Sequence, residues 1–182
     1  MKIFPTKIDG LLIIQPSIFE DDRGIFFESF NKKLFSDSLK KDIYFVQDNQ
    51  SVSKKNVIRG LHYQINSASQ SKLVSVLHGK IYDVAVDIRQ SSKTFGKWVG
   101  VELDSISHRQ LWIPEGFAHG FMALSDNAIV SYKVTNYYNK LSERAILWND
   151  NDLKIDWPLT QNPIVSYKDK NANKFSDAVL FY

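Results

Sequence analysis

Two side chains that can bind anions or move protons interrupt a segment with the composition of a buried strand. The segment "VIRGLHYQ", residues 57–64, contains Arg59 and His62 among valine, isoleucine, leucine and tyrosine. An arginine suits phosphate oxygens, and a histidine titrates near neutral pH. Because side chains alternate between the faces of a regular strand, the two can share one cavity only if Gly60 bends or bulges the strand. An exposed arginine beside a core histidine is the structural alternative.

A second candidate histidine follows a tight turn. In "RQLWIPEGFAHGF", residues 109–121, a proline and a glycine form the turn and His119 begins the next strand. Sandwich cavities of the cupin kind often take a metal-binding histidine from such a turn, and zinc or iron would require three or more ligands. The cupin metal pattern also places two histidines one residue apart in its first half. Gln64 stands where that second histidine would be, so we expect no metal site.

Two further segments carry residues capable of acid–base or charge chemistry. The run "AIVSYKVTNYYN" contains Tyr132 and ends near Tyr138, and "PIVSYKDKN" places Lys168 beside Asp169. Buried tyrosines are commonly core residues whose hydroxyl has one partner, and a charged pair in a loop is commonly solvated. Each segment alone is therefore compatible with a purely structural role.

Strands must position these residues, because most of the sequence consists of short β-branched and aromatic runs bounded by turn residues. We expect strands at "LLIIQP", "GIFFESF", "YFVQDNQSVS", "VIRGLHYQ", "KLVSVLHG", "KIYDVAVDIR", "WVGVEL", "RQLWIP", "HGFMAL" and "AIVSYKVT", with a hairpin at Gly79. Only "NKKLFSDSLKK", residues 31–41, has the apolar spacing of an amphipathic helix. The segment after Trp157 is expected to be loop-rich with one short helix. The pattern is typical of an all-β sandwich or barrel, and the length predicts a single domain covering residues 1–182.

Composition excludes several function classes. The chain has no cysteine, so disulfides, zinc–thiolate sites and cysteine nucleophiles are excluded. Its 23 lysines and arginines are scattered and nearly matched by 20 acidic residues, which argues against a nucleic-acid partner. No apolar stretch approaches the roughly 18 residues needed to span a membrane, and the first residues lack a signal-peptide pattern. We therefore expect a cytoplasmic protein with small or acidic ligands.

Taken together and in order, the segments resemble the dTDP-4-dehydrorhamnose 3,5-epimerase family. The resemblance extends over essentially the whole chain and is carried by "DDRGIFFESF", "QDNQSVS", "VIRGLHYQ", "KLVSVLHGKIYDVAVDIR", "TFGKWVGVEL", "RQLWIPEGFAHGFMALSD", "YKVTNYY", "IDWPL" and "PIVSYKD". It implies a cupin-type jelly roll (a double-stranded β-helix) with a few short peripheral helices, which uses no metal or other cofactor. It also implies a homodimer whose subunits exchange N-terminal strands.

The implied substrate is the dTDP-4-keto-6-deoxyhexose dTDP-4-dehydro-6-deoxy-D-glucose, which is inverted at carbons 3 and 5 to dTDP-4-dehydro-L-rhamnose in dTDP-L-rhamnose biosynthesis. The ketone acidifies the protons on both carbons through an enolate. The reaction therefore needs a base on one face of the sugar, an acid on the other and a cation at the ketone oxygen. By the resemblance, these roles belong to the base His62 with its partner Asp169, the acid Tyr132 and the cation Lys72.

The same resemblance assigns the contacts that would bind the substrate. Diphosphate and sugar contacts fall on Arg59, His119 and Lys168, and a further contact falls on Glu143. The thymidine would be bordered by Gln47, Asp48 and Asn49, with its ring stacked on Tyr138. From the neighbouring subunit, Arg23 and Glu28 would reach the ligand.

Other functions remain open at the level of the sequence. Some relatives of this family invert only carbon 3 or only carbon 5 of a related nucleotide 4-ketosugar, and they have the same histidine and tyrosine. A cupin that binds sugar without catalysis is an alternative from another class, but it would be favoured by replacement of His62 or Tyr132, and both are present. A metal-dependent cupin dioxygenase or isomerase is a third alternative, and it requires a bound metal.

Overall fold

The computed structural model describes residues 1–181 and is dominated by β-strands. In chain order the strands are β1 (Lys2–Pro5), β2 (Leu12–Gln15), β3 (Ile18–Asp21), β4 (Gly24–Phe27), β5 (Gln47–Ser53), β6 (Val57–Gln64), β7 (Lys72–His78), β8 (Lys80–Asp87), β9 (Trp98–Asp104), β10 (Gln110–Ile113), β11 (Phe117–Ala123), β12 (Ala128–Val134), β13 (Glu143–Ala145) and β14 (Ile164–Val165). The same range contains two short helices, α1 (Lys32–Leu39) and α2 (Tyr167–Lys170), and 3₁₀ turns at Asn66–Ala68 and Phe175–Asp177.

The strands form two facing sheets in which nearly all pairs are antiparallel. The first sheet has the order β1-β2-β10-β7-β12-β5 and the second has the order β13-β6-β11-β8-β9. At the edge of the second sheet, β14 pairs in parallel with the start of β6. The β3–β4 hairpin stands apart from both sheets. The expected all-β jelly roll of the cupin type is thereby confirmed.

The main hydrophobic core lies between the two sheets. Val74 and Leu111 of the first sheet belong to one buried cluster with Ile81, Ala85 and Phe121 of the second. Fully burying an aliphatic or aromatic side chain contributes roughly 1.5–3 kcal/mol, so this cluster fixes how the sheets face each other.

Strand β8 is buried on both of its faces. Ile81 and Ala85 point into the main core, whereas Val84 belongs to a second cluster that includes Trp157 from the C-terminal part of the chain. This second cluster explains why the residues between the inward-facing ones are also apolar. It also anchors the sheet from behind, because the C-terminal segment covers its outer face.

The predicted helix is present and slightly shorter than its sequence pattern. Asn31 caps α1, because its side-chain oxygen accepts a hydrogen bond from the Leu34 N–H at 3.1 Å. Phe35 is buried beneath the helix, and Lys40 ends it in a left-handed conformation with φ of 51°. Within residues 1–181 no helix is long and apolar enough to cross a membrane.

Candidate active site

A cavity of about 590 Å³ is lined by both sheets. This volume lies within the range of small-molecule sites, about 300–1,000 Å³. Strands β5, β7 and β12 contribute from the first sheet, and β6, β11, β13 and the helix α2 contribute from the other side. Most of the residues predicted for the site line this cavity: His62, Tyr132, Asp169, Lys72, Gln47, Asn49, Arg59, His119, Tyr138, Glu143 and Lys168.

Strand β6 presents both Arg59 and His62 to the cavity because its pairing with β11 is irregular at Gly60. His119 lies opposite His62, and the register then shifts. Gly60 has φ of 124°, which glycine adopts at little cost and other residues avoid. A Cβ at this position would lie 2.5 Å from the Gly120 Cα. Gly60 therefore interrupts the alternation of side chains along β6, as predicted from the positions of Arg59 and His62.

His62 is held by a buried carboxylate. Its Nε2 lies 2.6 Å from Oδ1 of Asp169, whose other oxygen accepts a hydrogen bond from the Gly60 N–H at 3.3 Å. Burial acts to raise the pKa of Asp169, but the hydrogen bonds from His62 and Gly60 outweigh it and leave that pKa lowered. An ionised carboxylate therefore fixes the ring orientation of His62, whose side chain is still 33% exposed toward the cavity.

Lys72 is a buried cation at the start of β7. Only 8% of the residue is exposed, and its Nζ donates a hydrogen bond to the His62 carbonyl oxygen at 3.3 Å. Burial lowers the pKa of Lys72 to about 8, although the negative charges of Asp83 and Glu143 oppose the shift. An ammonium in such surroundings interacts strongly with a negative charge that develops nearby.

Tyr132 approaches the cavity from the sheet opposite His62. Tyr132 belongs to β12 of the first sheet and His62 to β6 of the second, and both side chains line the cavity. A ligand between the sheets therefore has an imidazole on one side and a phenol on the other. Burial raises the pKa of Tyr132, although the positive charge of Arg59 opposes the shift, so the phenol retains its proton at neutral pH.

Glu143 joins two other predicted contacts near the cavity wall. Its Oε1 lies 2.6 Å from Nζ of Lys168, and its Oε2 accepts a hydrogen bond from the Tyr138 hydroxyl at 3.0 Å. The Tyr138 backbone N–H donates to Oε1 of Gln47 at 3.0 Å. The Lys168 ammonium therefore neutralises the carboxylate of Glu143, and the Tyr138 hydroxyl satisfies its second oxygen.

Two residues of β5 in the first sheet accept hydrogen bonds from the Arg59 side chain. Its Nε donates to the Ser53 hydroxyl at 3.1 Å and its Nη2 to the Val52 carbonyl at 3.3 Å. A guanidinium has five N–H donors, so further donors are left for an anion in the cavity.

Three predicted contacts lie outside the cavity. Arg23 is in the β3–β4 turn, where its side chain is 90% exposed and pairs with Asp21. Glu28 follows the same hairpin. Asp48 lies between two cavity-lining neighbours of β5 and, because side chains alternate, points away and pairs with Lys133 at 2.9 Å. The roles of Arg23, Glu28 and Asp48 in ligand binding stay predictions.

Gln64 has a structural role that sequence reasoning did not assign. Its Nε2 donates to the carbonyl oxygens of Ala68 and Tyr137 at 2.7 and 3.1 Å, and its Oε1 accepts from the Asn139 N–H at 2.7 Å. The glutamine therefore holds the loop that carries Tyr138. Across residues 1–181, no group of three or more histidine, aspartate or glutamate side chains is arranged to hold a metal ion.

Two more residues support the site without having been predicted. The Ser166 hydroxyl caps α2 by accepting a hydrogen bond from the Asp169 N–H at 3.1 Å. A serine three residues before an acidic residue is a capping signal that the sequence does contain. Asp83 lies 2.6 Å from His119, buried beneath the cavity. The alternation along β8 predicts the face on which Asp83 lies, but it does not predict that His119 is its partner.

Known proteins resemble this chain over nearly its whole length. The family model described as dTDP-4-dehydrorhamnose 3,5-epimerase matches residues 5–177. The dTDP-4-dehydrorhamnose 3,5-epimerase of Shigella flexneri is 54% identical over 181 residues, which cover 100% of this chain and 99% of that protein.

Solved structures agree with the sequence match. A dTDP-6-deoxy-D-glucose-3,5-epimerase from Legionella pneumophila in complex with dTDP-4-keto-L-rhamnose is 51% identical, with a TM-score of 0.93 over 97% of this chain and 93% of that one. A dTDP-4-dehydrorhamnose 3,5-epimerase from Elizabethkingia anophelis is 48% identical, with a TM-score of 0.94 over 97% of both chains. The chain therefore belongs to the dTDP-4-dehydrorhamnose 3,5-epimerase family.

Proposed function

We propose that this chain is an isomerase that converts dTDP-4-dehydro-6-deoxy-D-glucose to dTDP-4-dehydro-L-rhamnose in dTDP-L-rhamnose biosynthesis. The observation that carries this proposal is the placement of His62 and Tyr132 on opposing sheets of one cavity, together with the buried cation of Lys72. Inversion of a carbon beside a ketone requires this combination of a base, an acid on the other face and a cation. Membership of the family supports the choice of substrate.

In the proposed reaction, neutral His62 removes the proton from carbon 5 or carbon 3, and ionised Asp169 stabilises the imidazolium that forms. The ammonium of Lys72 stabilises the negative charge on the ketone oxygen of the enolate. Tyr132 then donates its hydroxyl proton to the opposite face of the same carbon. Before the second carbon reacts, His62 releases its proton to solvent and the phenolate of Tyr132 takes a proton from solvent. A phenol is a weak acid, but an enolate carbon is basic enough to accept its proton.

The remaining predicted residues bind the substrate in this proposal. Arg59 and Lys168 supply cations for the diphosphate, and the sugar lies between the two sheets. The thymine ring stacks on Tyr138 and is bordered by Gln47 and Asn49, which line the same cavity. No metal or other cofactor takes part.

We further infer that residues 1–182 act as one epimerase domain in a cytoplasmic homodimer that exchanges N-terminal strands and has no nucleic-acid partner. The β3–β4 hairpin supports the exchange, because Phe19 and Phe26 are 63% and 69% exposed there. Aromatic side chains exposed together commonly mark an interaction surface. The exchange would bring Arg23 and Glu28 to the neighbouring cavity.

The proposal is tested by proton NMR of dTDP-4-dehydro-6-deoxy-D-glucose incubated with the protein in deuterated water. We expect deuterium to enter at carbons 3 and 5 together with formation of the L-rhamno product, and we expect EDTA to leave the rate unchanged. Exchange at one carbon alone would identify a mono-epimerase instead. Binding without exchange would identify a sugar-binding cupin, and loss of activity in EDTA that a divalent ion restores would identify a metal-dependent enzyme.

A further inference from the structure

A second buried pair of a histidine and a carboxylate lies beside the pair of His62 and Asp169. Asp83 of β8 is fully buried, and its Oδ1 lies 2.6 Å from Nε2 of His119, which lines the cavity. His119 lies directly opposite His62 in the pairing of β11 with β6. Among the described residues, Oδ2 of Asp83 has no hydrogen-bond partner. A buried carboxylate costs several kcal/mol unless a nearby charge compensates it.

The negative charge of Asp83 acts on Lys72, the buried ammonium at the start of β7. Asp83 is the first of the two carboxylates whose charge opposes the effect of burial on the pKa of Lys72, and Glu143 is the second. The titratable groups that surround this ammonium come from five strands: His62, Asp83, His119, Tyr132 and Glu143. Of these, only the two carboxylates carry a negative charge at neutral pH.

The hydrogen bond to Asp83 also determines what His119 can offer a ligand. Burial lowers the pKa of His119 although Asp83 opposes the shift, so the ring is neutral at pH 7. A neutral imidazole has a single N–H, and an ionised carboxylate at Nε2 requires the N–H to be there. Nδ1 therefore carries a lone pair, which accepts a hydrogen bond from a hydroxyl and repels a phosphate oxygen.

We propose that Asp83 is a positioning residue for the sugar end of the cavity. It fixes His119 in the tautomer whose Nδ1 accepts a hydrogen bond from a hydroxyl of the hexose, and it supplies the negative charge that keeps Lys72 an ammonium. Of the two expected ligands of His119, diphosphate and sugar, this selects the sugar. The inference rests on the proposed function, since it takes a 4-keto hexose as the ligand.

The charge role is tested with Asp83→Asn, which preserves the size of the side chain and an acceptor oxygen while removing the charge. We expect the alkaline limb of kcat/KM to move to lower pH by about one unit, so that activity at pH 8 falls about fivefold and activity near pH 6.5 falls less. Asp87→Asn is the matched control, because Asp87 is equally buried on β8 but pairs with Arg89 away from the cavity. An alkaline limb that stays in place in Asp83→Asn, or moves equally in the control, overturns the charge role.

The tautomer is tested in the unaltered protein, so this measurement does not depend on whether a variant folds. The chain has only four histidines, and nitrogen-15 NMR with two-bond couplings distinguishes Nε2–H, Nδ1–H and doubly protonated rings. Substitutions of the other histidines, His78→Gln and His108→Gln, help to assign the signals. We expect Nε2–H for His119 at pH 7.5, and either other form overturns the tautomer role.

The two proposals fail in different ways. If the unaltered protein does not exchange or epimerise the ketosugar, the proposed function is wrong. If it does, and Asp83→Asn leaves the pH profile unchanged, only the role of Asp83 is wrong.

Discussion

The division of work between His62 and Tyr132 can be tested one residue at a time. A positioned acid or base typically contributes about 10²–10⁴-fold, so His62→Ala and Tyr132→Phe should each lose most of the epimerisation. Only the histidine variant lacks the base, so we expect it to lose deuterium exchange as well. Tyr132→Phe still has the base and the cation of Lys72, and it should exchange with retention of configuration. Exchange and product are measured together by NMR.

Either of two results would reverse this assignment. A Tyr132→Phe protein that epimerises at a near-normal rate would show that the phenol is not the acid. A His62→Ala protein that still exchanges the substrate protons would show that another group is the base.

The pH dependence of the reaction should report Lys72. An ordinary lysine loses its proton near pH 10.4, but burial lowers the pKa of Lys72 to about 8. The cation is therefore present below about pH 8 and lost as the pH rises through that value, so kcat/KM should fall there. In Lys72→Arg the guanidinium keeps its charge, and the residual activity should lack this limb. A fall near pH 8 that persists in Lys72→Arg would assign the limb to another group.

At the scale of residues, the sequence predicts which residues belong to the site better than it predicts which of them pair with one another. His62, Arg59 and Lys168 were identifiable because their chemistry is unusual for a strand or matches a family motif, and all of them line the cavity. For Asp83, the sequence indicated only an acidic residue on one face of an alternating strand. Its pairing with His119 joins positions 36 residues apart, and such cross-strand contacts depend on register, which local patterns do not specify.

At the scale of elements, every strand of seven or more residues was predictable, and the strands that were not predicted are all short. Each of the ten expected strands overlaps a strand of the structure, and residues 57–64 match β6 from end to end. The sequence patterns did not predict β1, β3, β13 and β14, each of which has at most four residues. Strand β3 is exposed along its whole length, so it lacks the buried face that produces an alternating pattern.

The paired strands β6 and β11 approach each other closely at Gly60 and Gly120, and this close approach orients Arg59 and His62 toward the cavity. Gly120 does not adopt a positive φ, so Gly120→Ala tests the space alone. Its Cβ would lie 2.7 Å from the Arg59 carbonyl oxygen and 3.1 Å from the Gly60 Cα. Separation of the two strands should misplace the catalytic groups, and a misplacement of about 1 Å costs on the order of 10²-fold in rate.

Gly100→Ala provides the control for that variant. Gly100 is on β9 of the same sheet, and the three atoms nearest to its added Cβ belong to the phenol end of the Tyr82 side chain rather than to the backbone of a neighbouring strand. We expect kcat/KM to fall in Gly120→Ala and to change little in Gly100→Ala, with circular dichroism confirming that both fold. Equal kcat/KM values in the two variants would show that the close approach of β6 and β11 does not orient Arg59 and His62.

At the scale of the whole molecule, Asp87 should contribute stability without taking part in the reaction. Burial acts to raise its pKa, but donors on Arg89, Ser92 and Thr94 lower it to about 2. Removing one partner from a buried ion pair costs about 3 kcal/mol or more, so Asp87→Asn should be less stable to urea at pH 7. Because the native pKa is depressed, the difference is full above the unfolded pKa near 3.9 and should vanish as the pH falls through about 2.

The proposed strand exchange makes a prediction about which chains must carry which residues. If Arg23 acts on the neighbouring cavity, each site combines His62 of one chain with Arg23 of the other. Two heterodimers, isolated with two affinity tags, separate this arrangement from one in which each chain completes its own site. The first pairs a His62→Ala chain with an Arg23→Ala chain, and the second pairs a chain carrying both substitutions with an unaltered chain.

Both heterodimers contain the same two substitutions, so a general loss of stability affects them alike. With exchange, the first has one intact site and should retain about half of the unaltered dimer's activity at low substrate concentration, whereas the second has none. Without exchange the order reverses, because the unaltered chain of the second heterodimer then has a complete site of its own. The ranking of the two heterodimers therefore decides whether the exposed β3–β4 hairpin completes a neighbour's cavity.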